Sequence, residues 1–296
     1  RFPPRGKSVP SDRPGGTDMA EISRQDAENL VSAIGIPPRP TVVLEVMEQK
    51  SSDASDMKAV AAAIGRDVGI SAALVKTVNS PFYGLRMQVQ SIPQAVSLLG
   101  MTRIATLVNS LALKTSINAQ GIERFWDQSA RTALASAWLA RKMGHDADVA
   151  HMFGLFRDAG IPLLVKRFAD YKDTLRQADA ARGQLFTDVE DDRHGMNHAI
   201  VGAILARNWH LPEAVHQAVL RHHDPDAFRG DNPDSVKTLI ALSHLAGQIE
   251  CRHSRNADDP EWTRFAAPAM AWLMLDTPDV NELIEAGSSL LLESGG

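Results

Sequence analysis

Apolar residues recur every three or four positions along most of this chain, which is the spacing of one buried face of an α-helix. The pattern is plain in residues 104–117, in the segment from Trp126 to Leu139, and in the last segment from Val280 to Leu292. No segment alternates apolar and polar residues for long enough to predict a strand. The sequence therefore predicts an all-α fold.

Glycine and proline separate the helical patterns. Helices are predicted to stop at Gly35 and Gly100, and the proline-rich segment 36–40 is predicted to lead rigidly into the next helix. Residues 1–18 hold prolines, glycines and arginines with almost nothing apolar. They are predicted to be a disordered tail, or a remnant that precedes a native start at Met19.

Composition and charge narrow the classes of function. The 296 residues are 44% hydrophobic and 23% charged, which is typical of a globular protein with a sizeable core. The formal net charge of -5 argues against a broad basic surface for nucleic acid. A single cysteine, Cys251, excludes a disulfide within the chain, and no run of about 18 apolar residues predicts a membrane span. A cytoplasmic location is therefore expected.

A helix-turn-helix pair is one possible nucleic-acid element, because two short predicted helices meet near Gly65. With Ala61 and Gly65 as anchors, the position six beyond the glycine should be apolar, but it is Ser71. The pair carries little positive charge for phosphate binding, namely Lys58, Arg66 and Lys76 against Asp67. DNA binding through residues 59–79 is thus an alternative interpretation, and a packed helical pair is the preferred one.

Histidines are concentrated in the second half of the chain. Seven of the ten lie between His194 and His244, and imidazoles serve as metal ligands, proton carriers or anion-binding donors. His198, His222 and His223 are the strongest candidates, because glycine and proline punctuation would bring their two helices back against one another. The others are compatible with ordinary surface or helix-end positions.

The stretch from Gly154 to Gly160 places Arg157 and Asp158 side by side among predicted helices. A His-Asp pair on the inner face of a helical bundle can hold one or two divalent ions over a phosphate ester. The first residue of this pair is an arginine, whose guanidinium is always protonated and has no lone pair for a metal. The pair therefore argues against a catalytic metal centre.

A series of landmarks along the chain carries a family resemblance. They are Ile36, Pro37, Pro38 and Pro40; Ile64 and Asp67; Val78, Asn79, Ser80, Tyr83 and Gly84; Ser91, Ile92, Ala95, Val96, Leu99 and Gly100; Phe125, Trp126 and Ser129; Gly154, Leu155, Asp158 and Gly160; His198, Val201, Gly202 and Ala203; Trp209, Leu211 and Pro212; and His222 with His223. In this order they resemble the HDOD domain, an output module of bacterial signalling proteins related to the HD phosphohydrolases. The similarity covers about Ile36 to Gly247.

The resemblance implies an architecture. It divides the chain into an N-terminal helical lobe (19–118), an HD-like helical bundle (119–251) and a C-terminal helical extension packed on the bundle (252–296). The family is regarded as regulatory, without established catalytic activity. It therefore implies a signal-transduction protein that binds a protein partner or a small anionic ligand, with nucleic acid and membrane not expected as partners.

The resemblance also implies where an active HD site would lie. Its ligands, His, then His-Asp, then Asp, fall on Gln128, on Arg157 with Asp158, and on His244. Only Asp158 keeps its type, so the expectation is a degenerate site with no catalytic residue, no metal and no cofactor. The ligand-binding hypothesis uses the donors and positive charge gathered there, from Arg157, Asp158, His198, His222, His223 and His244. The alternative is a divergent metal-dependent phosphohydrolase using Asp158 with the four histidines.

Overall fold

The computed structural model describes residues 34–52, 54–80, 83, 85, 87–117, 122–181 and 183–294. Within these ranges the regular elements are all helices, so the predicted all-α fold is confirmed. The predicted tail 1–18 lies outside the described residues, as does all but the end of the helix predicted from Ile22 to Gly35.

The N-terminal part is built on one long helix. Three shorter helices, α1 (Thr41–Ser51), α2 (Met57–Gly65) and α3 (Val68–Val78), pack against α4 (Ile92–Ser116). α4 changes direction at Gly100, whose φ of 76° lies in the left-handed region that favours glycine. The predicted break at Gly100 is therefore a kink between two helical segments that follow each other directly.

Helix α4 is the one helix in the described ranges that is long and apolar enough to cross a membrane by length and composition. In the protein, however, 61% of its most apolar window is buried. Burial of this kind is typical of the core helix of a lobe, and α1, α2 and α3 supply the contacts.

Helices α2 and α3 meet through capping interactions. The Asp67 carboxylate caps α3 by accepting from the Ile70 backbone N–H, and the Ser71 hydroxyl donates to the Ile64 carbonyl at 2.8 Å. Ser71 therefore closes the end of α2 by a hydrogen bond where a helix-turn-helix would use apolar contact. Arg66 forms an ion pair with Glu45 of α1. DNA binding by this pair stays a prediction, tested by neutralising Lys58, Arg66 and Lys76.

The second part of the chain is a bundle of eight helices within the described residues. They are α5 (Glu123–Lys142), α6 (Ala147–Phe156), α7 (Gly160–Arg167), α8 (Tyr171–Ala180), α9 (Phe186–His194), α10 (His198–Asn208), α11 (Glu213–Arg221) and α12 (Asp234–Arg255). α6 and α12 pack on α5, and α10 packs on both α7 and α11. α12 is the central helix, because nearly every side chain from Val236 to Cys251 is buried.

The flanking parts join this bundle through α4, which packs on α6, and through specific contacts at each end. Trp209 is fully buried at the end of α10, and its indole N–H donates to the Pro37 carbonyl at 3.1 Å. At the other end, α13 (Pro260–Leu273) and α14 (Thr277–Ser294) pack on α12. The Gln248 side chain accepts from the Asp259 backbone N–H at 2.8 Å and so holds the start of α13. The division at 118 and 251 stays a prediction, and α12 itself runs on to Arg255.

One largely buried ion pair connects α5 to α12. Arg131 Nε and Nη2 donate to Glu250 Oε1 at 2.9 and 2.7 Å. The Glu250 side chain is 1% exposed, and its Oε2 has no hydrogen-bond partner in the described part of the chain. The carboxylate therefore relies on Arg131 for its charge balance.

We predict that Arg131→Ala lowers the free energy of unfolding by about 3 kcal/mol, because it leaves the Glu250 charge buried and uncompensated. Urea unfolding measures the change. The matched control is Lys114→Ala, which breaks an exposed 3.9 Å pair with Asp127 and should cost less than about 1 kcal/mol. Equal losses in the two variants would contradict this role of Arg131.

A second buried polar group lies where α4, α5 and α6 meet. His151 of α6 is buried, and its Nδ1 has no hydrogen-bond partner among the described residues. Arg103, Arg141 and Asp148 line the same small cavity. Burial lowers the pKa of His151 to about 4, so the folded protein holds it neutral.

This shift predicts a loss of stability in mild acid. The folded-state pKa of His151 is about 4 and the ordinary value is 6.5, so between these values the unfolded chain binds the extra proton. The contribution of His151 to the free energy of unfolding is fully present above pH 6.5. It falls by about 2 kcal/mol between pH 7 and pH 5. Urea unfolding of the protein and of His151→Leu at both pH values should give a smaller pH dependence for the variant. An unchanged pH dependence would contradict the assignment.

Candidate functional site

Two glycines let the turn between α6 and α7 sit deep in the bundle. A Cβ on Gly154 would lie 2.8 Å from Ala133 Cα, and a Cβ on Gly160 would lie 2.1 Å from the His198 carbonyl oxygen. Both distances are shorter than real contacts allow, so α6 meets α5, and α7 meets α10, only with glycine at these positions. The turn between them carries Arg157 and Asp158, which are thereby held against the start of α10.

Asp158 and three histidines form one cluster. Asp158 Oδ1 lies 3.2 Å from His222 Nε2 and 3.6 Å from His198 Nε2. His198 Nε2 lies 3.3 Å from His222 Nε2 and 3.1 Å from His223 Nε2. The four potential ligand atoms all lie within 4.8 Å of one another. The predicted convergence of His198 with His222 and His223 is therefore present, with His198 opening α10 and the pair following the end of α11.

Each ring is oriented by an acceptor on its other nitrogen. His198 Nδ1 lies 2.7 Å from Glu190 Oε2, His222 Nδ1 lies 2.7 Å from the Val219 carbonyl, and His223 Nδ1 lies 2.7 Å from Glu261 Oε2. Carboxylate and carbonyl oxygens only accept here, so each Nδ1 carries the hydrogen. The three Nε2 atoms then face one another with their lone pairs. This arrangement needs a positive charge between them, supplied by either a proton or a metal ion.

The electrostatics of the cluster agree with such a charge. Burial opposes the charge on His198, but Glu190 and Asp158 raise its pKa to about 10. Burial and the neighbouring His223 hold the pKa of His222 well below its ordinary value. Burial also opposes the charge on Asp158, yet Arg157 and the histidines hold the pKa of that carboxyl well below its usual range. Without a metal, the cluster therefore places the His198 imidazolium beside the Asp158 carboxylate.

Arg157 lies on the other side of Asp158. Its Nε is 3.2 Å from Asp158 Oδ2, and its Nη1 donates to the Ser243 carbonyl of α12 at 3.2 Å. Burial opposes its charge, but Asp158, Asp259 and Glu261 raise the pKa of Arg157 above its ordinary value. Gly247 makes room for it, because a Cβ there would lie 3.6 Å from Arg157 Nη1 and 2.8 Å from Asp259 Oδ2. The guanidinium is thus enclosed by carboxylates.

The two remaining positions suggested by the sequence lie outside the cluster. Gln128 is exposed, and its Oε1 accepts from Arg255 Nη2 at 3.3 Å. His244 is fully buried behind His222: its Nε2 donates to the His222 carbonyl at 2.9 Å, and its ring stacks on Phe265. The structure therefore brings together Asp158, His198, His222 and His223, with Arg157 alongside. The ligand-binding role of these residues stays a prediction.

Sequence reasoning missed the residues that orient the histidines. Glu190 stands in the acidic run 188–192, which looks like a solvated helix face, but its side chain is buried and also accepts from the Tyr171 hydroxyl. Glu261 begins α13, far along the chain from His223. Val189 beside Glu190 was the one available signal that this face turns inward, whereas Glu261 gave none.

A cavity of about 710 Å³ opens onto the cluster. Its lining includes Asp158, His198 and His223 on the inside and the apolar side chains of Phe125 and Phe186. The Phe186 ring stacks on the His223 ring with centroids 5.6 Å apart. Three arginines also line it, Arg124, Arg255 and Arg264, of which the first two are exposed and so lie at the mouth.

A family model for the HDOD domain matches residues 36–225, more than half of the chain. This chain belongs to the HDOD family. The resemblance seen in the sequence is confirmed, and the cluster lies within the matched part of this HDOD protein. Glu261, Arg255 and Arg264 lie beyond it, on α12 and α13.

Similar proteins are known from several bacteria. An uncharacterized protein of Treponema pallidum (strain Nichols) is 27% identical over 216 residues, which are 71% of this chain and 41% of that protein. This chain thus spans less than half the length of that relative. A Shewanella amazonensis SB2B structure, named provisionally as a phosphohydrolase, has a TM-score of 0.68 at 22% identity over 89% of this chain and 96% of its own.

A second similar structure comes from Marinobacter aquaeolei VT8 and is named provisionally as a signal transduction protein. It has a TM-score of 0.65 at 21% identity, covering 94% of this chain and 68% of its own. At these identities both structures support the shared all-helical fold and leave the chemistry to be argued from the residues.

The close contact between Gly160 and the backbone of His198 can be tested by substitution. Gly160→Ala should lower the free energy of unfolding by at least about 3 kcal/mol, because its Cβ meets backbone atoms of His198 that cannot move alone. Thermal or urea unfolding measures it. Gly65→Ala is the matched control, since nothing lies within 4 Å of a Cβ there and the change should stay within about 1 kcal/mol. If both variants were equally stable, the close contact would be refuted.

Proposed function

We propose that this HDOD protein is a regulatory protein that does not hydrolyse phosphate esters and that its Asp158-His198-His222-His223 cluster binds one divalent metal ion. It acts in signal transduction by binding a protein partner or a small anionic ligand. The observation that carries the metal assignment is the convergence of three Nε2 atoms and one carboxylate oxygen, each imidazole being oriented by an acceptor on Nδ1.

The distances within the cluster fit one ion. Ligand atoms about 2.0–2.1 Å from a tetrahedral ion lie about 3.3 Å from one another. Four of the six separations here, from 3.1 to 3.6 Å, bracket that value, and all six lie within 4.8 Å. Imidazole nitrogens with one carboxylate suit Zn, Fe or Mn rather than Mg or Ca. Glu190 and Glu261 would act as outer partners that fix the rings and raise their basicity.

Among the residues that the structure describes, a second ion has no comparable set of ligands. Arg157 Nε donates to both oxygens of Asp158, at 3.2 Å to Oδ2 and 3.4 Å to Oδ1, and a second divalent ion next to its guanidinium would be repelled. Gln128 is exposed and bonded to Arg255, and His244 Nε2 is bonded to the His222 carbonyl. These contacts support a one-ion site without a paired-metal hydrolytic centre. A bound ion would supply a fixed positive charge, while the chain's own residues hold and orient it.

Metal content tests this function. Protein purified without chelator should contain about one divalent transition-metal ion per chain, and His198→Ala or His222→Ala should lose it because each removes a converging Nε2. Elemental analysis and calorimetric titration with Zn²⁺ and Mn²⁺ give the stoichiometry. His210→Asn is the matched control, because His210 lies outside the cluster with a φ of 53° that asparagine tolerates.

Turnover of a generic phosphodiester should be absent in the metal-loaded protein. Metal-free protein that also refuses Zn²⁺ and Mn²⁺ would overturn the metal assignment. Hydrolysis that depends on the ion and is lost in His198→Ala would overturn the non-catalytic assignment and favour a divergent phosphohydrolase.

A further inference from the structure

We propose that the cavity beside the cluster binds an organic phosphate with a flat apolar body, and that it does so only when the metal site is loaded. The inference rests on the proposed metal site and adds to it the chemical class of the ligand. It is argued from the distribution of charge in the cavity, from its apolar wall and from the access that it gives to the cluster.

The floor of the cavity is acidic. Asp158, Asp259 and Glu261 line it, and these three carboxylates outnumber its two cations, the Arg157 guanidinium and the His198 imidazolium. Arg157 is ion-paired with Asp158, and the negative charges of Asp259 and Glu261 further offset its attraction for an anion from outside. The floor therefore repels an anion until a divalent cation is bound there.

The mouth of the cavity is basic. Arg124 and Arg255 are exposed there, the half-buried Arg264 also lines the cavity, and in the described ranges none of the three lies within ion-pair distance of a carboxylate. Arg255 Nη2 donates to the Gln128 amide oxygen, and Arg264 Nη2 donates to the Gln184 carbonyl at 2.7 Å. Arg264 Nη1 is buried without a hydrogen-bond partner in the described part of the chain. A fourth carboxylate of the lining, Asp179, is exposed as Arg124 and Arg255 are, so two guanidinium groups are set against one carboxylate among the exposed lining residues.

Guanidinium groups match phosphate oxygens in geometry and charge, and unpaired ones at a cavity mouth point to an anionic ligand. Three of the four cluster residues, Asp158, His198 and His223, face the same cavity. An ion held by them would border it and could accept a further oxygen ligand if it took more than four ligands. An anion in the cavity would thus interact with the ion at one end and the arginines at the other.

The wall between these ends is apolar and partly aromatic. Phe125, Leu175 and Phe186 line it, and Phe186 lies nearly parallel to the His223 ring, with an interplanar angle of 14°. A flat ring in the cavity would pack against such side chains. The volume of about 710 Å³ is in the range of sites for small organic ligands. Together these features favour a ring-bearing phosphate over a bare inorganic anion.

Calorimetry with three probes tests the proposal. Adenosine 5′-monophosphate carries both the ring and the phosphate, ribose 5-phosphate lacks the ring, and adenosine lacks the phosphate. Adenosine 5′-monophosphate should bind metal-loaded protein at least tenfold more tightly than either of the others. Chelator-treated protein should bind it at least tenfold more weakly than metal-loaded protein.

Variants at the mouth separate the two sites. Arg255→Gln with Arg264→Gln should weaken adenosine 5′-monophosphate binding at least tenfold while metal content stays at one ion. Arg124→Gln, at an exposed position that folding tolerates, should weaken it in the same direction. The matched control is Arg229→Gln, which removes an exposed arginine paired with Asp226 and should change nothing.

The outcomes distinguish the two proposals. A loaded metal site with no difference among the three probes overturns this inference and leaves the proposed function standing. Equal binding of adenosine 5′-monophosphate with and without metal overturns it too, because the acidic floor would then be irrelevant. Absence of both metal and nucleotide binding overturns both proposals.

Discussion

The structure depends on a contact between two backbones that only glycine permits. Gly160 meets the carbonyl of His198 at a distance that no side chain could share, and Gly154 meets α5 in a similar way. This close approach carries the turn between α6 and α7 into the interior, where Asp158 can reach histidines from two other elements. The cluster is therefore a product of backbone packing first and of side-chain chemistry second.

The surroundings of Asp158 could be predicted from the sequence only in part. The arginine before it was expected to oppose a cation, and the guanidinium does contact the carboxylate, more closely at Oδ2 than at Oδ1. Oδ1 also faces His198 and His222, which have their own acceptors on Nδ1. The guanidinium of the neighbouring residue and two histidines from distant parts of the chain thus contact the same carboxylate. This arrangement could not be deduced from residue types. Loss of a two-ion arrangement and retention of a one-ion cluster are compatible for that reason.

The all-helical fold and its breaks followed from local signals, because helical periodicity, glycine stops and proline segments act within a few residues. The gathering of His198 with His222 and His223 was predictable from that punctuation together with the family resemblance. Glu190 and Glu261 were not, since a buried carboxylate leaves no periodic signal and their partners are distant in the sequence. The family resemblance aligned His244 with a metal-ligand position. In the structure its Nε2 instead donates to the His222 carbonyl, outside the cluster.

The hydrogen bond between Glu261 and His223 couples the position of α13 to the cluster. Glu261 belongs to the first turn of α13, and that helix is held to α12 through Gln248 at its start. Any rigid shift of α13 along α12 would carry Glu261 with it and turn the ring of His223 within the cluster. A displacement of the C-terminal helices, caused by a contact on the outer surface of α13 or α14, would therefore be transmitted to a candidate metal ligand.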